Sequence, residues 1–122
     1  MTKKNDYRSA KKRITKESKW HFRRDEKRRI GNQKKGKHPA LIVGETEDRK
    51  SFINIGLTNS PKRGHHKNIQ IHNPQNWNET SYLRDDIRID SKEDLRKVLK
   101  DYKLCPDDIE KIWKIIKKKD SH

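Results

Sequence analysis

One stretch limits what this chain can fold into. Between positions 38 and 60 it reads His38-Pro39-Ala40-Leu41-Ile42-Val43-Gly44, then a charged turn, then Ser51-Phe52-Ile53-Asn54-Ile55-Gly56-Leu57-Thr58-Asn59-Ser60. The first run is almost unbroken apolar, the pattern of a short strand covered on both faces, and the second alternates as a strand should. Pro39 suits the first position of a strand, where a missing N–H is tolerated. Glu45-Thr46-Glu47-Asp48-Arg49-Lys50 joins the two as a hairpin turn. With only 27% of 122 residues hydrophobic and 42% charged, no other part of the chain offers a sheet core, and one small domain is the upper bound.

The charge is unevenly placed. Positions 1–37 hold 16 Lys/Arg against four acids, and positions 38–122 hold 17 against 14, which together make the net +15. The sequence therefore divides into a basic N-terminal arm, 1–37, helical or disordered, and a domain over 38–122. Such asymmetry implies a polyanionic partner. Nucleic acid fits better than a membrane surface, because the arm lacks a broad Leu/Phe face. A membrane span and a signal peptide are not expected, since no run approaches ~18 apolar residues and Met1 leads into lysines. Cys105 is the only cysteine, which excludes an internal disulfide, and a reducing cytoplasm is the expected compartment.

Within the arm, Tyr7, Ala10 and Ile14 keep helical spacing, and weak helices are expected over about 7–30, followed by a linker at 32–37. As an RNA-binding arm it would use Arg23, Arg24, Arg28 and Arg29 on phosphates and Trp20 or Phe22 as a stacking surface; as a solvated tail it would do neither. Beyond the hairpin, positions 67–72 read as a third strand and 73–80 as a polar loop around Trp77. A fourth strand begins at Ser81-Tyr82-Leu83, with Ile87 and Ile89 in its continuation. Two helices close the chain. Ser91 and Asp94 resemble a capping box, and Leu95, Val98, Leu99 and Tyr102 follow at i, i+3, i+4 and i+7. The second helix begins at Pro106, with Asp107, Asp108 and Glu110 in its first turn and Ile109, Ile112, Trp113 and Ile116 on one face.

The histidines first suggest a metal, but His65, His66 and His72 lack an accompanying cysteine or carboxylate set in sequence, so no metal and no cofactor are expected. A His-Asn-His nuclease motif is excluded by spacing, and no phosphate-binding loop, dinucleotide fingerprint or Ser-His-Asp set is present. Metal-free RNA cleavage remains. It needs a base for the ribose 2′-hydroxyl, an acid for the 5′-oxygen and a donor for the charged phosphorane. Histidine serves as acid or base near neutral pH.

Four short motifs in order resemble the PemK/MazF-like family, the toxins of type II toxin–antitoxin systems: His38-Pro39-Ala40-Leu41-Ile42-Val43, Gly56-Leu57-Thr58-Asn59-Ser60, Asp86-Ile87-Arg88-Ile89-Asp90-Ser91-Lys92 and Leu104-Cys105-Pro106-Asp107-Asp108-Ile109. The likeness covers about 38–118. It implies an α+β fold, a small SH3-like β-barrel with C-terminal helices behind the basic N-terminal arm. It also implies a homodimer that cuts single-stranded RNA without a metal, and an acidic antitoxin as protein partner. The family's catalytic pair falls on His38 and Thr58, with Arg84 or Arg88 as charge stabiliser. Family members carry Arg where His38 stands, so a permanent cation is replaced by a titratable group, and the family's opening strand with its Gly-containing loop has no match in 1–37. Lys37, Ser60, Lys62, Arg63, His65, His66, Lys67 and Trp77 are the further expected RNA contacts. The rival functional class is a non-catalytic nucleic-acid-binding protein of phage or mobile-element origin. A protein-binding inhibitor is disfavoured by the charge.

Overall fold

A computed structural model of the chain describes residues 7–26 and 38–118. It is an α+β fold built on a mostly antiparallel sheet of six strands with a few short helices. In chain order these are helix α1 (Tyr7–Lys11), strands β1 (His21–Asp25), β2 (His38–Glu45), β3 (Ser51–Thr58), β4 (Lys62–Arg63), β5 (His66–Lys67), β6 (Ile69–Asn73), β7 (Asn76–Leu83) and β8 (Arg88–Ser91), and helix α2 (Ile109–Ile116), with single 3-10 turns between. Among the described residues no helix is long and apolar enough to cross a membrane.

The expected hairpin is the centre of the sheet. β2 pairs with β3 antiparallel from Ala40↔Gly56 to Glu45↔Phe52, with a bulge between Ile42 and Gly44. Alternation along both strands divides the apolar residues between two faces. Leu41, Val43, Ile53, Ile55 and Leu57 join the main core with Phe22, Ile71, Leu83 and the α2 residues Ile112, Ile115 and Ile116. Ala40 and Ile42 join Leu95 and Phe52 in a smaller cluster on the other face. The unbroken run in β2 is thus explained: both faces are covered.

The far edge of β3 is shared. Its first half, Ser51–Asn54, pairs with β8, and its end, Leu57 and Thr58, pairs with β7. The sheet forks there, its path running β1-β2-β3-β7-β6 with β8 as a branch. No closed barrel forms among the described residues.

The basic arm differs from the expectation. Lys37, Arg28, Arg29 and the linker lie outside the described residues, but 7–26 pack into the domain. Only Tyr7–Lys11 is α-helical, and His21–Asp25 is a strand paired with β2 from His21↔Ile42 to Asp25↔His38. Phe22 is 1% exposed and Trp20 8%, so neither offers a ring for base stacking. The Trp20 ring packs on Trp113 of α2, centroids 5.3 Å apart. Across the same junction the Trp113 indole N–H donates to Glu17 Oε1 at 2.6 Å, a bond that holds the Glu17 carboxyl below the usual range. The physical reason is scarcity: a chain this poor in apolar residues must bury the few large ones it has, including those set among arginines.

The helix expected after Ser91 does not form either. A 3-10 turn, Lys92–Leu95, is capped by Ser91, whose side chain accepts from the Glu93 N–H. The chain then runs along the open edge of β1, with Leu99 N donating to Phe22 O, Arg24 N to Lys97 O and Glu26 N to Asp94 O, each at 2.9 Å. An exposed strand edge supplies donors and acceptors that outbid an isolated helix. Leu95 is buried, Leu99 and Tyr102 border the main core, and Val98 is left exposed. The Trp77 segment is likewise a strand, β7, in a tight hairpin with β6 whose Asn73 side chain accepts from Gln75 N at 2.8 Å. The second expected helix is present, opened by the 3-10 turn Pro106–Asp108.

If 7–26 are part of the core, Phe22→Ala costs about 3–5 kcal/mol of stability in urea unfolding. A change under 1 kcal/mol would return the segment to the status of an arm.

Candidate nucleic-acid interface

The face of the sheet opposite α2 is largely polar. Pairing and alternation put His21, Arg23 and Asp25 of β1, His38 of β2, Asn54, Gly56 and Thr58 of β3, and Arg88 and Asp90 of β8 on this side. Its centre is a buried ionic network. The Arg88 Nη2 donates to Asn54 Oδ1 at 2.9 Å and to Asp25 Oδ2 at 3.3 Å, and its Nε lies 3.7 Å from Asp90 Oδ2. Asn54 Nδ2 donates in turn to Asp90 Oδ2 at 3.0 Å. Asp25, Asn54 and Asp90 are 2%, 0% and 7% exposed. Carboxylates at that depth are stabilised by a cation, and the Arg88 guanidinium contacts both. These contacts join β1, β3 and β8.

Gly56 makes room for this arrangement. A Cβ there would stand 3.2 Å from Arg84 Cγ and 3.4 Å from Arg88 Cζ, so the two arginine side chains lie directly on the backbone. Arg84 N donates to Gly56 O at 2.9 Å. The Arg84 side chain then forms part of the wall of a cleft of about 680 Å³, lined also by Arg63, Gly64, His65, His66, Asn68, Asp85, Asp86 and Lys118.

The β4–β5 hairpin forms one bank of this cleft. Arg63 pairs with His66 across Gly64 and His65, and Lys62 with Lys67. Gly64 takes φ +59°, a left-handed conformation that favours glycine. Lys62, Arg63, His65, His66 and Lys67 are all exposed. On the other bank Lys118 Nζ donates to Asp85 Oδ2 at 2.7 Å, which holds the ammonium above the usual lysine range. Lys118, Asn68 and the two aspartates were not expected at the site. Only the fold brings position 118 beside position 85.

The expected catalytic pair lies at one end of this face. The β2–β3 ladder ends at Ala40↔Gly56, and two residues further along each strand stand His38 and Thr58. His38 is exposed and pairs with Asp25 in register. Thr58 is 7% exposed, and its Oγ1 accepts from Ser60 N at 3.2 Å while Ser60 O accepts from Asn68 Nδ2 at 2.9 Å. These bonds tie the end of β3 to the cleft. Arg23, Arg24 and Trp77 are not among the residues that line the cleft. Arg23 Nη1 donates to the carbonyls of Leu95 and Arg96, Nε contacts His21, and the guanidinium sits 4.6 Å from the Phe52 ring centroid. Burial pushes its pKa down. Arg24 lies beside Glu26 at 3.9 Å. Trp77 is 46% exposed, with its indole N–H given to Lys103 O at 3.0 Å.

Compared with protein-family models, curated proteins and solved structures, the chain matches none.

Because Asp25 and Arg88 are coupled, Arg88→Met alone should cost about 3 kcal/mol through loss of the buried ionic contacts to Asp25 and Asp90. The double variant Asp25→Asn/Arg88→Met should recover at least 1 kcal/mol of the summed single losses. Additive losses in chemical denaturation would mean that the two side chains do not interact.

Proposed function

We propose that the protein binds single-stranded RNA in the cleft between the β4–β5 hairpin and Lys118 and cuts it without a metal at the His38–Thr58 corner. The observation that carries this reading is the convergence of Arg63, His65, His66, Arg84 and Lys118 on one cleft, tied through Ser60 and Asn68 to the end of the strand that bears Thr58. Phosphates attract such a cluster regardless of sequence, and the polar sheet face beside it offers groups for the sugar and bases.

In the cleavage step, His38 removes the proton of the ribose 2′-hydroxyl. The 2′-oxygen attacks phosphorus, and the bond to the 5′-oxygen breaks, that oxygen taking a proton from water. The products are a 2′,3′-cyclic phosphate and a 5′-hydroxyl. The Thr58 hydroxyl donates to a non-bridging oxygen, and Arg84 balances the charge that develops on the phosphorane. Arg88 acts one step back, as the residue that holds the strands in place. The finer expectation of an SH3-like barrel belongs to this reading, and a homodimer and an acidic antitoxin follow from the same resemblance to PemK/MazF-like toxins; a cytoplasmic setting follows from the lone cysteine.

The second reading keeps the cleft and drops the chemistry: a nucleic-acid-binding protein without catalysis. It is favoured by the burial of Thr58 and by the commitment of Arg88 to Asp25, Asn54 and Asp90.

The full-length protein, incubated with end-labelled single-stranded RNA in buffer without divalent cations, separates the two. The first reading expects fragments ending in a cyclic phosphate. It expects a loss of about 100-fold or more in His38→Ala and Thr58→Val, with RNA affinity in both within about twofold of the parent. Arg63→Ala should weaken binding and lower the slope of log affinity against log salt by about one. Binding without cleavage by the parent protein establishes the second reading, and failure to bind overturns both.

A further inference from the structure

Where β6 meets the turn that opens α2, the fold assembles a cluster that the sequence does not announce. His72 stands on β6 and Cys105 at the head of the 3-10 turn that opens α2, with Asp107 inside that turn. One ring nitrogen of His72, Cys105 Sγ and an Asp107 carboxylate oxygen all lie within 4.8 Å of one another. The expectation that His72 lacks an accompanying cysteine and carboxylate is corrected here: both come from a segment more than thirty residues away.

The setting is what a metal ligand needs. Asp108, 0% exposed, lies 3.1 Å from His72 Nδ1 and also accepts from the His72 backbone N–H at 2.9 Å. A carboxylate behind the imidazole fixes the ring, keeps the proton on Nδ1 and leaves Nε2 as the lone-pair nitrogen, the arrangement that orients and strengthens histidine ligands. Lys111 Nζ, 3.8 Å from Asp108 Oδ1, offsets part of the buried charge. Cys105 is 5% exposed, while His72 and Asp107 reach the surface, so an ion has an entry path.

We propose that His72, Cys105 and Asp107 form a divalent-metal site suited to zinc, with Asp108 as the positioning residue behind His72 and a water as fourth ligand. The donor set of one thiolate, one imidazole and one carboxylate fits a borderline-soft tetrahedral ion. Zinc bonds of roughly 2.0–2.3 Å place ligand atoms roughly 3–4 Å apart. Side-chain rotations of about an ångström therefore close the site from its observed spacing. The ion would join the edge strand β6 to the start of α2, so its binding energy adds to the stability of the folded state. This site is separate from the RNA cleft and does not depend on that reading.

The test uses the untagged full-length protein, freed of metal with a chelator and titrated with Co²⁺ and then Zn²⁺. The proposal expects one equivalent of Co²⁺ to raise a near-ultraviolet thiolate-to-cobalt charge-transfer band, with Zn²⁺ displacing it. Cys105→Ser abolishes the band, and His72→Gln and Asp107→Asn weaken binding about tenfold or more. Asp108→Asn weakens it about 10–100-fold with the band shape retained. Should Asp108→Asn fail to fold, protection of Cys105 from alkylation by Zn²⁺ in the parent protein, lost in His72→Gln, reads the same geometry. No cobalt band, or a band that survives His72→Gln undiminished, overturns the site.

Discussion

The pairing of β2 with β3 is the constraint on which the rest depends. In a chain with so few apolar residues, one hairpin must supply the centre of the sheet, and its two faces must both be covered. On one face α2 and the segment before β1 provide the cover, through Ile112, Ile115, Ile116, Ala10 and Trp20, together with Phe22 of β1 itself. On the other, among the described residues, Leu95 and Phe52 pack beside Ala40 and Ile42. What remains of that second face is filled by ions and amides. Arg88 sits between Asp25 and Asp90 because no further apolar side chains were available to fill the space. The shortage of apolar residues thus produces the polar surface next to which the basic cleft lies.

A polar sheet face has a functional consequence. A buried ionic network is weak evidence for stability, since well-packed apolar residues often do as well, but it fixes strand positions within narrow limits. Gly56 leaves room for Arg84, and the β2–β3 register sets His38 and Thr58 at the same end of two strands. The cations of the β4–β5 hairpin and Lys118 then face each other across a gap that Asp85 partly neutralises. Surface ion pairs of that kind contribute little to stability, so on the proposed RNA-binding reading a phosphate displaces Asp85 from Lys118 at small cost.

Much of this was legible where side-chain pattern and backbone demand agree. β2, β3 and α2 were readable from unbroken apolar runs and from Ile109, Ile112 and Ile116 at helical spacing. β1 was hidden because Phe22 is its only large apolar side chain, flanked by His21 and Arg23. The stretch after Ser91 misled for a different reason: Leu95, Leu99 and Tyr102 all turn inward, as an amphipathic helix requires. They do so on a 3-10 turn and an extended run whose backbone is claimed by β1, and side-chain spacing carries no information about a free strand edge elsewhere. β7 was obscured by Asn76, Asn78 and Glu79 on an exposed edge. At the site, Arg63, His65 and His66 were visible as a basic loop, whereas Lys118 and Asp85, or His72 and Cys105, meet only through tertiary structure.

The most direct measurement of the central claim is a map of where RNA touches the protein. In an amide NMR titration of the full-length chain with a short single-stranded RNA, the account predicts shifts concentrated at Gly56, Thr58, Arg63, Gly64, Asn68, Arg84 and His38. The Trp113 indole and the α2 amides of Ile112 and Ile115 stay unmoved. Shifts centred on α2, or spread evenly over the basic surface with none at Gly56 and Thr58, would contradict it.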